Sequence, residues 1–174
     1  LEGPPIGGPS AFTTFAPMTT TKILLVCMGN ICRSPMAEGL IRHKARLRGL
    51  PLETDSAGTI DHHAGEAPDA RAQRCMRVHG IEIGDLRARQ VRPSDFHAFD
   101  LLLAMDADNL AGLHRLAPAA ALAPKARLIM DLVPGHPLRE VPDPWFGGPE
   151  GFEEVFAMLD AATDRLLDEL GHGR

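Results

Sequence analysis

Short apolar runs alternate with amphipathic stretches along this chain, and the alternation predicts its architecture. Lys22 to Val26 (KILLV) runs straight into Cys27, and Asp100 to Met105 (DLLLAM) and Ala126 to Met130 (ARLIM) are similar runs. Such runs suit strands buried on both faces. Glu53 to Ser56 is a weaker fourth candidate. Helical stretches lie between them: Pro35 to Arg48, Pro68 to His79 ahead of Gly80, and Asp106 to Leu116 ahead of Pro118. Their stop signals stand where helices end. The last segment is the clearest helix, because Phe152, Val155, Phe156, Leu159, Ala162, Leu166 and Leu170 share one face at three- and four-residue spacing. Strands alternating with helices imply right-handed crossovers and a parallel sheet covered on both sides. The Ala/Pro-rich patch from Ala117 to Pro124 reads as a loop, and no internal repeat is visible.

Residues 1–21 (LEGPPIGGPSAFTTFAPMTTT) lack any apolar period and read as a disordered tail, partly artificial, with Met18 as a natural start. That leaves 22–174 as one domain. Within 174 residues, 44% apolar and 24% charged content is that of an ordinary globule with a core. The formal charge of −5 argues against nucleic acid as a partner. No run has the apolar length of a membrane span, and no signal-peptide pattern is seen. Three cysteines cannot all pair within one chain, so free thiols in a reducing, cytoplasmic setting are expected.

The chemistry concentrates in VCMGNICRSP, residues 26–35, which leaves a buried strand and enters a helix. Open parallel sheets present their ligands at such a place. The spacing is Cys, five residues, Arg, Ser. Peptide N–H groups from Met28 through Gly29, Asn30, Ile31 and Cys32 to Arg33 can curl around one tetrahedral anion. Gly29 takes a left-handed conformation without steric cost, and Asn30 is the next most tolerant residue. Arg33 offers a planar fork for two phosphate oxygens. A thiol's ordinary pKa is about 8.5, and the ring amides, a helix N-terminus and Arg33 would all favour a thiolate at Cys27. Ser34 is placed to donate to that sulfur and to cap the helix, with Pro35 as first helical residue.

Thiolate attack on phosphorus expels a group that needs a proton. Only Glu2 offers a carboxylate ahead of Cys27, so the donor is expected downstream. Asp143 is the choice: in VPDPWFGGP two prolines stiffen the backbone and glycines let it turn beside a cleft. Trp145 and Phe146 are placed to flank an aromatic leaving group.

Read together, CMGNICRSPMAEG and DPW resemble the low-molecular-weight protein tyrosine phosphatases, bacterial type. DSAGT at 55–59, CMRVHGI at 75–81, ARQ at 88–90 and AMDADNL at 104–110 add to the likeness, which spans the body from Lys22 onward. The resemblance implies a flavodoxin-like, three-layer fold with a four-stranded parallel sheet in the order 2-1-3-4. It implies hydrolysis of phosphotyrosine proteins through a phosphocysteine on Cys27, without metal or cofactor, with Asp143 as acid and then base. It implies that Asn30, Ser34, Ser56 and His79 brace the loop by hydrogen bonds, that Glu38 and Asp55 partner His79, and that Asp106 supports the pocket. Cys32 would form a disulfide with Cys27 on oxidation. Phosphate-like oxyanions would inhibit, a bacterial tyrosine kinase is a candidate substrate by analogy, and a monomer or weak dimer is expected. Where relatives carry an aromatic wall after DSAGT, TIDHHAG places His62 here. The chain holds no Tyr, so tyrosine phosphorylation beside the acid loop, known in some relatives, is not open to it.

Rival readings are weaker on the residues. A zinc site from Cys27, Cys32, Cys75 and a histidine lacks a second ligand pair at finger spacing, and Cys75 reads as packing. A thiol-dependent arsenate reductase would need further cysteines than Cys75. A non-catalytic phosphotyrosine-binding module would not need Cys27, Arg33 and Asp143 together.

Overall fold

Four parallel strands form the sheet: β1 (Thr21–Cys27), β2 (Leu52–Gly58), β3 (Leu101–Ala104) and β4 (Ala126–Leu128), in the order β2-β1-β3-β4. This is the flavodoxin-like order expected. A computed structural model describes residues 19–172; the tail expected at 1–21 lies outside the described residues up to Met18, and Thr21 already belongs to β1. β1 pairs with both neighbours, Ile23 opposite Thr54 on one side and Leu101 on the other. A central strand has no solvent face, and Ile23, Leu24, Leu25 and Val26 are accordingly fully buried.

Alternation of side chains divides the core into two layers. Ile23, Leu25 and Cys27 point to one layer, shared with α1 (Arg33–Leu47), α2 (Ala70–Val78) and α5 (Pro149–His172). Leu24 and Val26 point to the other, filled by Phe96 of the short α3 (Asp95–Ala98) and Leu113 of α4 (Ala107–Leu116). The apolar stripe read in the last segment is real: Phe152, Val155, Leu159, Ala162 and Leu166 are all buried.

Differences from the sequence reading are local. The patch expected as a loop contains a 3-10 turn, Ala120–Lys125, and the ARLIM run is a strand only to Leu128 before a second such turn, Ile129–Leu132. The first helix begins at Arg33 with Cys32 in the cap position and no capping side chain, so Ser34 does not serve as its cap. Asp69 and Asp106 do cap, their carboxylates accepting from the N–H groups of Arg71 and Asn109.

Chain direction reverses beside β1: the path goes outward to β2 through α1, then returns across to β3. The C-terminal ends of β1 and β3 therefore diverge and leave a crevice. Cys27 ends β1 and Asp106 follows β3, so both stand at its mouth. Among the described residues no helix is long and apolar enough to cross a membrane.

Candidate active site

The loop from Cys27 to Arg33 closes into a ring because its carbonyls are engaged on the outside. The carbonyl oxygens of Cys27, Met28 and Ile31 accept from the N–H groups of Thr59, Ile60 and Asp69 at 2.9, 3.1 and 2.8 Å. In a trans peptide the next residue's N–H points opposite to the carbonyl. The N–H groups of Met28, Gly29 and Cys32 consequently face the ring interior, the arrangement of an anion nest.

Asn30 is the hub. It is the one non-glycine residue at positive φ (59°) among the described residues, and it is buried. Its N–H donates to Cys27 Sγ at 3.3 Å; its side-chain amide donates to Ser34 Oγ (2.7 Å) and Ser56 Oγ (2.9 Å) and accepts from the Arg89 N–H (3.0 Å). Glycine would supply the backbone conformation and the N–H to the sulfur, but none of the three side-chain bonds. Gly29, expected as the left-handed position, is not among the positive-φ residues; a Cβ there would stand 3.0 Å from the His63 ring, so close approach is what it permits.

A chain of hydroxyls links this hub to the sulfur. Ser34 Oγ lies 3.0 Å from Cys27 Sγ, and because it accepts from Asn30 its own proton is free for the sulfur. Ser56 likewise accepts from Asn30 and donates to Glu38 at 2.6 Å. Burial pushes the Glu38 carboxyl up to about 7, against the opposing pull of the Ser56 hydroxyl.

His79 does not brace the loop, contrary to expectation. It caps the C-terminus of α2, where its ring stacks on Phe156 at 3.7 Å and its Nε2 meets Glu153 at 2.9 Å. Glu38 and Asp55 are not its partners: Glu38 holds Ser56, and Asp55 pairs with Arg89 at 3.0 Å. Arg89 fills the role instead, its backbone on Asn30 and its guanidinium forked between Asp55 and the buried Asp95. ARQ at 88–90 was legible as a motif, but nothing in it marked Arg89 as the brace.

Arg33 is buried, with Nη1 bonded to Asp106 at 2.6 Å and to the Val141 carbonyl at 3.0 Å. Asp106 thus anchors the guanidinium with one oxygen and caps α4 with the other. Arg33 Nη2 faces Asp143 at 3.9 Å. Asp143 is half-exposed, and its other oxygen accepts from the Trp145 N–H at 3.0 Å in an Asx turn.

These groups surround a pocket of about 310 Å³. Cys27, Cys32 and Arg33 line it beside Asp143, and Met28, Gly29, Ile31, Ile60, His62, His63, Trp145 and Phe146 complete the wall. His62 stands where a substrate wall was expected, and it shares the place with its neighbour His63. The His63 ring is fixed by Glu66 (2.7 Å) and lies 5.9 Å from Trp145. Phe146 is 90% exposed, free to meet a substrate. Arg71, also unassigned from sequence, donates to the Trp145 carbonyl at 3.0 Å and ties the Asp143 loop to α2. All three cysteines are free; burial, with Asp69 next, pushes the Cys32 thiol up to about 12. Cys75 lies outside the pocket.

A flavodoxin-like sheet with a thiol at its crevice, set inside an amide ring closed by arginine, defines an α/β protein of the Cys-x5-Arg class. Residues 22–174 match the family described as low molecular weight phosphotyrosine protein phosphatase. A low molecular weight protein-tyrosine-phosphatase of Streptomyces coelicolor is 44% identical over 153 residues, 85% of this chain and 92% of the relative. The crystal structure of YfkJ from Bacillus subtilis superposes with a TM-score of 0.85 at 34% identity, covering 91% of this chain and 99% of that one. That of DARP, a drosophila arginine phosphatase, does so with 0.78 at 33%, covering 86% and 97%. The chain belongs to the low molecular weight protein-tyrosine phosphatases, a family of hydrolases.

Proposed function

We propose that this protein hydrolyses phosphotyrosine in proteins, with Cys27 as nucleophile, Arg33 as phosphate clamp and Asp143 as proton donor. The observation that carries the reading is the convergence of Cys27 Sγ, the inward N–H groups, Arg33 and Asp143 on one pocket. In the first step the sulfur attacks phosphorus, the P–S bond forms, and the P–O bond to the tyrosine breaks as Asp143 protonates the departing oxygen. In the second, Asp143 takes a proton from water, whose oxygen attacks phosphorus; sulfur departs with its electron pair and orthophosphate is released. The ring amides and the Arg33 fork stabilise the equatorial oxygens, whose charge they meet without reorganisation. Asp106 and Val141 keep the fork aimed. Phosphate-like oxyanions are the expected inhibitors. The proposed substrates are phosphotyrosine proteins, with bacterial tyrosine kinases among them.

The aromatic mouth formed by Trp145, Phe146 and His62 favours an aryl ester over phosphoarginine, the kind of substrate that the name of one structural neighbour raises. No third thiol lines the pocket to carry electrons, which favours hydrolysis over arsenate reduction. The test is release of p-nitrophenol from its phosphate at mildly acidic pH with chelator present, then a phosphotyrosine peptide against a phosphoarginine peptide. Turnover by wild type, none by Cys27→Ser, and preference for phosphotyrosine are expected. A Cys27→Ser protein as active as wild type would falsify the mechanism.

A further inference from the structure

Outside the pocket, one group of metal-ligating side chains converges among the described residues. Cys75 and His79 stand four residues apart, on one face of α2 and its cap, and Glu153 faces them from α5. Sγ of Cys75, a ring nitrogen of His79 and a carboxylate oxygen of Glu153 lie within 4.8 Å of one another, the one such group of three among the described residues. We propose that Cys75, His79 and Glu153 form a zinc site that ties α2 to α5, separate from the catalytic pocket.

Donor chemistry selects the ion. A thiolate and an imidazole suit Zn²⁺ and are poor ligands for Mg²⁺ or Ca²⁺, and a carboxylate, also a zinc ligand, supplies the third donor. Zinc–ligand bonds of about 2.0–2.3 Å put tetrahedral ligand atoms roughly 3.3–3.6 Å apart. Glu153 Oε1 lies 3.4 Å from Cys75 Sγ, inside that range, and Glu153 Oε2 lies 2.9 Å from His79 Nε2, somewhat below it. Closing all three on an ion therefore needs side-chain shifts only.

Placement is already arranged. The stack on Phe156, with planes 9° apart, sets the His79 ring. Cys75 is buried, so its rotamer is held by packing. Of the cations nearby, Arg71 is committed to Asp69 and to the Trp145 carbonyl. Cys75 and Glu153 also line a cavity of about 240 Å³ with Gly147 and Gly148, which leaves room for water in the fourth position. On binding, Cys75 gives its proton to solvent, and thiolate and carboxylate together balance the ion's two charges. Without metal, His79 meets Glu153 at 2.9 Å and the Cys75 thiol donates to the same carboxylate at 3.4 Å, so the three groups already converge before an ion is bound.

The inference goes beyond the phosphatase reading and does not depend on it. The test is titration of the full chain with Co²⁺ as a spectroscopic stand-in, in wild type and in a Cys27→Ser/Cys32→Ser protein whose pocket thiols cannot compete. Both should bind one equivalent at a shared site with a thiolate-to-cobalt charge-transfer band, and Zn²⁺ should displace it. Cys75→Ser should abolish the band, and Glu153→Gln should weaken binding at least about tenfold. Activity toward p-nitrophenyl phosphate in chelator should be unchanged by Glu153→Gln, which separates this site from the catalytic one. A band that survives Cys75→Ser, or no band in the folded Cys27→Ser/Cys32→Ser protein, overturns the proposal.

Discussion

Replacing Glu38 by Gln should flatten the dependence of stability on pH. Glu38 is 5% exposed and held at about 7 against an ordinary value of 4.5, with burial as the main cause. Its folded form keeps a proton that the unfolded chain releases above pH 4.5, so the contribution is fully present below that pH. It is lost as pH rises through 7, because deprotonation then leaves a buried charge. Linkage between those two values makes wild type lose about 2.5 kcal/mol from this group between pH 5 and pH 8. For a domain of this size that is a fall of about 5–10 °C in Tm. Gln keeps an oxygen to accept from Ser56 and has no proton to lose. Thermal or urea unfolding of both proteins at pH 5, 6, 7 and 8 checks it, since other titrating groups cancel in the difference. Glu38→Gln should gain relative to wild type as pH rises. Parallel stability curves would show that Glu38 folds ionised and refute the reasoning.

Further outcomes follow from the site's geometry. Asp143→Ala should lower kcat by about 10² to 10⁴, most for poor leaving groups, which a series of aryl phosphates measures. Asn30→Ala should cost about 3 kcal/mol in urea unfolding, because it strands the Arg89 N–H and keeps a left-handed backbone without the bonds that hold it. Gly58→Ala would place a methyl 2.6 Å from the Met28 carbonyl, so a loss of about 1–3 kcal/mol and weaker vanadate inhibition are expected. Unchanged inhibition there would show that the ring tolerates the push.

Much of this was legible because it is local. Apolar runs of strand length, a 3.6-residue stripe and the Gly/Asn-rich turn before Arg33 are properties of neighbouring residues, and backbone sterics and burial act on them directly. The spacing from Cys27 to Arg33 sets the size of the ring, and the two prolines around Asp143 mark a stiff turn. His79 shows where locality ends. Its motif was visible, but whether a helix-end histidine turns toward the loop or toward α5 depends on what packs against it, and Phe156 and Glu153 settle that.

Sequence alone therefore determined the elements, their alternation, and a cysteine loop shaped for an oxyanion. Tertiary structure decided which distant groups serve that loop: Val141 on Arg33 across 108 positions, and Arg89 on Asn30 across 59. Such pairings follow from crossover handedness and from filling two core layers, which no stretch of residues encodes by itself. The same packing brought Cys75 and His79 against Glu153, 74 positions beyond His79, where neither segment by itself announces a ligand set.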